Sequence, residues 1–350
     1  MKKVLVIFGG CSTEYEVSLT SAAAVANAID RSYYDVLYLG ISRQGKAYFF
    51  EGNTEAIAAD TWQEKALPAT ISMSRGTPAL WVCEMEQIKT VTFDIAFPIM
   101  HGKNGEDGTL QGLCEMAGIP IAGCGMESSA IGMDKNLAHI LAREAGVKVP
   151  ECVVLKKTED TSKQEKKIDA LGLPVFVKPV RAGSSFGITC VTKRDEMAPA
   201  IQNAFLHDTE VIVEEAVKGF EVGCAIMGND SLVVGRVDEI ELAGESEDGF
   251  FDYEEKYTLK TSKIHMPARL DSGEEERIRA EAVKIYRALG CRGFARVDLF
   301  YTPEKDIVFN EVNTIPGFTA HSRFPGMMNG IGYDFADTVN TILRLSEEAS

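Results

Sequence analysis

No pair of cysteines in this chain stands in a CxxC spacing; the eight are scattered at 11, 83, 114, 124, 152, 190, 224 and 291. In a chain of 350 residues that scatter excludes a disulfide scaffold and a cysteine zinc site, and it points to reduced thiols in the cytoplasm. Long apolar runs are also missing. None approaches the ~20 residues of a membrane span, and the N-terminal run, Val4 to Phe8, stops at Gly9-Gly10, too short for a secretion signal. Positive charge is scarce. With 36 Lys and Arg against 52 Asp and Glu, the net charge of −16 argues against nucleic acid or an anionic membrane as main partner. A chain this negative that binds a polyanion must gather its Lys and Arg locally and use metal.

What is present reads as a globular enzyme. Apolar residues make up 45% and charged residues 25%, and the length predicts two or three domains. Residues 1–125 alternate strand and helix: a strand over 3–8, a Gly-rich turn, a helix over 18–29 and strands over 36–41 and 91–97. A helix over 110–117 and a strand over 119–122 follow. That alternation predicts a parallel sheet. Residues 126–218 read as α+β, with helices over 136–145, 162–170 and 197–207. The strands, over 148–154, 174–179, 188–191 and 211–215, include an antiparallel hairpin around a small-residue loop. Residues 219–350 carry strands over 221–227 and 232–240, an acidic excursion over 244–249 and an amphipathic helix over 274–289. A hairpin and a last helix over 334–346 end the chain.

The hairpin carries the most chemistry. Arg296-Val297-Asp298 and Asn310-Glu311-Val312-Asn313 flank a turn at 302–306, so they read as adjacent strands. Residues two apart on a strand share a face, so Glu311 and Asn313 point together and Asp298 can join them. Two carboxylates and an amide oxygen form the hard oxygen set that Mg²⁺ prefers when it also carries phosphates. A solvated hairpin face fits poorly beside Val297, Leu299, Phe300, Ile307, Val308 and Phe309.

Other segments are more ambiguous taken singly. Gly183-Ser184-Ser185-Phe186-Gly187 could cradle a phosphate with backbone N–H groups and hydroxyls, although it has neither a GK[ST] nor a dinucleotide fingerprint and a tight turn explains it as well. Lys178, in a run of buried residues, must find an anion. Val211 to Val217 is either a core strand or an adenine-holding strand. His101 to Gly108 follows a buried strand, where ligands gather at the carboxyl end of a parallel sheet, or it leads a helix capped by Asp107 or Thr109. Glu14 and Glu16 cannot both cap one helix, which leaves one to hold an ammonium group. Asp252 to Tyr257 ends a loop long enough to be a lid or a mobile surface segment.

In this order the segments FGGCSTEYEVSLTSA, FPIMHGKNGEDGTLQG, GMDK (132–135), FVKPVRAGSSFGI, VIVEEAVKGFEVG, FDYEEKY, FARVDLF and FNEVNTIPGFTAHSR resemble the D-alanine–D-alanine ligases of the ATP-grasp superfamily across nearly the whole chain. The resemblance implies a three-domain ATP-grasp fold, α/β with an α+β centre and an N-terminal parallel-sheet domain. It implies D-alanine, a second D-amino acid and ATP as substrates, with two Mg²⁺ for which Mn²⁺ can substitute, and a homodimer. Glu14 would bind the first ammonium in a network with Ser184. His101, supported by Glu106, would lie at the first carboxylate. Lys135, Lys178, Ser184 and Ser185 would hold phosphates, with Asn310 beside the nucleotide. Glu214, Glu215, Ala216 and Val217 would hold the adenine, and Glu221 the ribose. Lys256 would reach the γ-phosphate from a lid locked by Tyr257. Asp298, Glu311 and Asn313 would hold the metal. Arg296, Gly317, Ser322 and Arg323 would orient the acyl phosphate and the second carboxylate.

The implied chemistry is attack of a carboxylate on the γ-phosphate, then attack of an amine on the acyl phosphate under a closed lid, yielding a dipeptide for peptidoglycan precursors. Retention of Tyr257 argues against a D-lactate acceptor. HGKNGEDG, PVRAGSSFGIT, VGRVDEIEL, KYTLKTSKIHMPAR and NTIPGFTAHSR are similar to the D-serine ligases of the vancomycin-resistance G type, so D-serine is the expected acceptor and D-alanine the alternative. The acidic excursion over 244–249 departs from the family pattern. Another ATP-grasp carboxylate–amine ligase is opposed by FDYEEKY and HGKNGEDG. A non-catalytic nucleotide-binding module is opposed by the complete set of metal ligands and lysines.

Overall fold

A computed structural model describes residues 1–183, 186–242 and 262–348. Ser184, Ser185, the acidic excursion, Lys256 and Tyr257 lie outside them.

The chain opens with β1 (Lys2–Gly9), whose residues Val4 to Phe8 are fully buried, as a strand covered on both faces must be. It is followed by α1 (Tyr15–Ala28), β2 (Tyr34–Ile41), β3 (Ala47–Phe50), α2 (Thr54–Ala58), β4 (Leu67–Ile71), β5 (Ala79–Glu84), β6 (Gln87–Thr92), β7 (Ile95–Ile99) and α3 (Thr109–Ala117). The seven strands form one sheet in the order β6-β5-β4-β3-β2-β1-β7. Its β2-β1-β7 end is the expected parallel sheet, and β3 to β6 extend it antiparallel. These four strands are short and β6 is almost wholly exposed, so they carry no buried apolar run to read. The single strand expected over 91–97 is two. The chain breaks where Phe93 N–H bonds the Pro78 carbonyl and Asp94 N–H bonds that of Lys3. Of the strand expected over 119–122, one parallel bridge remains, Ala96 to Ile121.

The middle of the chain supplies α4 (Met126–Met133), α5 (Lys135–Glu144), β8 (Cys152–Lys156), α6 (Glu165–Leu171), β9 (Val175–Pro179), β10 (Thr189–Val191), α7 (Met197–Ala204) and β11 (Glu210–Glu215). Its sheet, β10-β9-β11-β8, is antiparallel throughout and contains the expected hairpin. Helix α5 starts where the Asp134 carboxylate accepts from Leu137 N–H, an N-cap that fixes Lys135 at the first helical position.

The last third supplies β12 (Phe220–Gly228), β13 (Leu232–Leu242), β14 (Ser262–His265), α8 (Ser272–Ala288), β15 (Phe294–Tyr301), β16 (Ile307–Asn313), α9 (Arg323–Asn329) and α10 (Phe335–Glu348). Its antiparallel sheet runs β14-β13-β12-β15-β16. Helix α8 covers one face with Ile278, Ala282, Ile285 and Tyr286. Helix α10 returns to the first sheet. Val339, Ile342 and Leu343 share a core with Val4, Val6 and Leu19, and Tyr34 donates to Glu347. No helix among the described residues is long and apolar enough to cross a membrane.

Candidate active site

The site is assembled where β15, β16, α5 and the loops after β1 and β7 meet. In the β15–β16 register Asp298 lies opposite Glu311 and Arg296 opposite Asn313, so the period-two expectation places the oxygen ligands on neighbouring strands. Asp298 is buried. Its Oδ2 accepts from Arg296 Nη2 at 2.7 Å and from Asn313 Nδ2 at 2.8 Å, while Arg296 Nε lies 2.8 Å from Oδ1. Burial alone would lower the pKa of Arg296, but the Asp298 carboxylate reverses this and keeps it raised. A carboxylate has about four lone-pair sites, so Oδ1 retains acceptor capacity. Among the described residues no three His, Cys, Asp or Glu side chains gather as a metal cluster. The set Asp298, Glu311 and Asn313, two carboxylates and an amide, instead fits a hard divalent cation that draws its other ligands from phosphate and water.

Beneath this hairpin Arg323 is enclosed by acids. Its Nη1 donates to Glu221 at 2.9 Å, its Nε and Nη2 to Asp238 at 2.8 Å each, and Nη2 lies 3.6 Å from Asp298. Gly223 makes room. A Cβ there would lie 2.5 Å from Arg323 Nη2, and Gly223 N–H donates to Asp238. Arg323 does not line the substrate chamber, and neither does Ser322, which accepts from Thr319 N–H at 3.0 Å and lies beside Gly317.

A small chamber of about 50 Å³ is lined by Glu14, His101, Glu106, Lys135, Gly183, Arg296, Glu311, Asn313 and Gly317 among others. The Ile315 carbonyl can only accept, so His101 carries its hydrogen on Nδ1, 2.8 Å away. Ser12 donates to the His101 carbonyl, and Glu106 accepts from Gly102 N–H at 2.9 Å, which ties the loops after β1 and β7 together. Glu16 faces outward and pairs with Arg43, leaving Glu14 as the acid that faces the chamber.

A second chamber, about 380 Å³, adjoins it and shares Lys135, Ala182 and Glu311. Phe176, Ile188, Val217 and Phe300 give it apolar walls, and Lys178, Glu214, Glu215, Glu221 and Asn310 also line it. Ala216 instead lines a neighbouring hollow that shares Glu215 and Val217 with this chamber. Lys178 Nζ lies 2.6 Å from Glu214 Oε2. Burial works against the Glu214 charge, but the Lys178 ammonium beside it holds its carboxyl below the usual range. Lys135 Nζ donates to the Ala182 carbonyl at 2.9 Å.

Several residues here escaped the sequence reading. Glu239 and Glu241 line the rim and are bound by Arg269, while His265 meets Glu241 at 2.6 Å. The alternation Glu239-Ile240-Glu241 on one strand was the available signal. His139, buried behind Glu214, gave none beyond a lone histidine on an amphipathic helix.

The chain is similar to known proteins along nearly its whole length. The family described as D-ala D-ala ligase N-terminus matches residues 3–124, and that described as D-ala D-ala ligase C-terminus matches residues 141–344. Vancomycin B-type resistance protein VanB of Enterococcus faecalis is 43% identical over 351 residues, covering 99% of this chain and 98% of that protein. A D-alanine–D-alanine ligase of Caldicellulosiruptor bescii is 38% identical over 351 residues, covering 99% and 95%. The crystal structure of VanG D-Ala:D-Ser ligase from Enterococcus faecalis superposes with a TM-score of 0.91 at 54% identity, covering 99% of each chain.

Proposed function

This chain belongs to the D-alanine–D-alanine ligase family, and from that premise we propose that it joins D-alanine to D-serine with ATP to supply peptidoglycan precursors. The observation that carries the reading is the pair of adjoining chambers with Lys135 and Glu311 in their common wall. A nucleotide in the larger chamber would direct its phosphates at a substrate in the smaller one. The apolar walls and the Val211 to Val217 segment suit adenine, Glu221 the ribose, and Lys135 and Lys178 the phosphates. Glu14 takes the ammonium of the first D-alanine, and His101, supported by Glu106, faces its carboxylate. Bound Mg²⁺, held by Asp298, Glu311 and Asn313, supplies charge neutralisation for phosphoryl transfer.

The D-alanine carboxylate attacks the γ-phosphate, releasing ADP and forming D-alanyl phosphate. The acceptor amine then attacks the carbonyl carbon, and phosphate leaves. Arg296 and Gly317 bind the oxyanion that develops; by the family resemblance Lys256 would reach the γ-phosphate, with Tyr257 and Ser184 excluding water.

D-serine is favoured over D-alanine by the 54% identity to the VanG D-Ala:D-Ser ligase and by the resemblance of the segments around 183 and 313–323 to the D-serine ligases. An apolar pocket rejects an added hydroxyl only about 10²-fold, whereas a pocket built to hydrogen-bond it rejects the analogue far more strongly. The test supplies ATP, Mg²⁺ and D-alanine with D-serine and D-lactate at equal concentration and resolves the products. D-Ala–D-Ser should dominate and no depsipeptide should form. Dominant D-Ala–D-Ala would make the chain a D-alanine–D-alanine ligase, and ADP release without any dipeptide would sink the ligase reading.

A further inference from the structure

His139 lies behind the nucleotide chamber on α5 and has no part in the reaction described above. It is 1% exposed. Its Nε2 lies 2.9 Å from the Asn310 carbonyl oxygen, which can only accept, so Nε2 carries the ring hydrogen of the neutral imidazole. Nδ1 is then a lone pair, and it faces Glu214 Oε1 at 3.6 Å. Neither atom has a hydrogen-bond partner among the described residues, although both are buried. Two facing acceptors in a dry site cost free energy, and native structures rarely keep them without a use.

Lys178 accounts for the arrangement. With its ammonium 2.6 Å from Glu214 Oε2, the carboxylate has one cation and needs no second. Lys178 also lines the chamber, where the reading above gives it a phosphate. When a phosphate draws the ammonium away, the buried Glu214 carboxylate loses the cation beside it, a state that a second cation relieves. His139 is the group placed to relieve it. A proton added at Nδ1 turns two opposed lone pairs into an N–H⁺ to carboxylate bond.

We infer that nucleotide binding is coupled to uptake of a proton at His139 Nδ1, which replaces Lys178 as the counter-ion of Glu214. The proton comes from solvent, and no covalent bond changes. The groups around the ring agree. Glu214 on β11 and the Asn310 carbonyl on β16 favour the imidazolium, while burial, Lys178 on β9 and Lys135 on α5 oppose it and depress the pKa in the free protein. Cys152 on β8 faces Glu214, and burial pushes its thiol up, so it carries no competing charge. The Phe309 ring meets the imidazole edge-on at 5.5 Å and contributes no proton. Moving Lys178 toward a phosphate removes one opposing charge and unmasks the favourable one.

The inference rests on the nucleotide reading, and the test separates the two. Mg·ADP is titrated into the full-length protein by calorimetry, at one pH near 7, in buffers of different ionisation enthalpy. The wild type should take up close to one proton per nucleotide. His139→Gln, which keeps a donor for the Asn310 carbonyl, should bind with uptake near zero. ADP affinity of the wild type should fall with rising pH by up to tenfold per unit, and that slope should vanish in the variant. Imidazole NMR of the wild type, which has five histidines, reads the same event without a mutation: one ring should pass from the Nε2–H tautomer to imidazolium on adding Mg·ADP. Equal proton counts in the two proteins, or no ring changing state, overturns the inference and leaves the nucleotide site intact. No binding heat in the wild type overturns both.

Discussion

Lys135 Nζ lies 3.7 Å from Glu311 Oε2, in the wall that the two chambers share. The separation is too long for a direct hydrogen bond and short enough for each charge to feel the other. A chain of net charge −16 thus sets a cation beside the carboxylate proposed as a metal ligand, in the wall between the two chambers. Glu311 stabilises Lys135 before substrates arrive, and both can turn to the transferring group when they do.

Glu311→Gln should therefore leave the fold intact but weaken Mg²⁺ binding and lower turnover by roughly two orders of magnitude or more, because a neutral oxygen ligand stabilises the phosphoryl group less. Steady-state kinetics across a Mg²⁺ titration would show it. A kcat near that of the wild type at every Mg²⁺ concentration removes Glu311 from the metal set.

Packing gives an independent prediction. Gly40 on β2 lies against Trp62, a fully buried indole that also meets Phe8 edge-on with centroids 5.0 Å apart. A Cβ at Gly40 would lie 2.3 Å from that ring. The ring is boxed in and cannot retreat, so Gly40→Ala should cost about 1–3 kcal/mol, the usual range for overpacking. Denaturant unfolding measures it. An unchanged midpoint would mean that the indole repacks at no cost.

Acid stability should depend on Glu274. Lys305, then Asp271 N–H and the Tyr301 hydroxyl, draw its carboxyl from 4.5 down to about 2. A carboxyl depressed in the folded state stabilises the protein fully above its unfolded value, and that stabilisation is lost as pH falls through the folded value. Glu274→Gln should thus be less stable than the wild type at neutral pH, with the gap closing between about pH 4.5 and 2. A gap independent of pH would assign the effect to the capping hydrogen bonds alone.

Much of this was legible in the sequence, for physical reasons. Asp298, Glu311 and Asn313 obey strand periodicity, and their neighbours are apolar, so both the hairpin and its polar face could be read. Strand β1 announced itself as five buried residues in a row. The antiparallel strands between residues 47 and 92 did not, because they are short and half-exposed and their pairing depends on partners far along the chain. The Arg269–Glu239 contact joins residues 30 apart, and the Arg323–Glu221 contact residues 102 apart. Local pattern carries no information on such pairs. His139 was invisible for the same reason, since its meaning comes from Glu214 on another sheet.

Arg323 offers the sharpest separation of support from chemistry. Its planar fork bonds Glu221 and Asp238 at once and comes within 3.6 Å of Asp298, so one buried cation faces an acid of the larger chamber, an interior acid and the acid proposed as a metal ligand. Lysine has one compact charge and cannot reproduce that fork. Arg323→Lys should leave at least one of these carboxylates short of a partner and cost about 3–5 kcal/mol, as breaking a buried ion pair does. Asp238 keeps the Gly223 N–H and Asp298 keeps Arg296 and Asn313, whereas Glu221 lines the larger chamber, so loss of the Arg323 fork bears on that chamber's wall. The loss should therefore appear chiefly as a raised KM for ATP, with a smaller change in kcat. A kcat collapse at unchanged KM would instead place Arg323 against the reacting atoms, and a variant as stable as the wild type would show that the acids can find other partners.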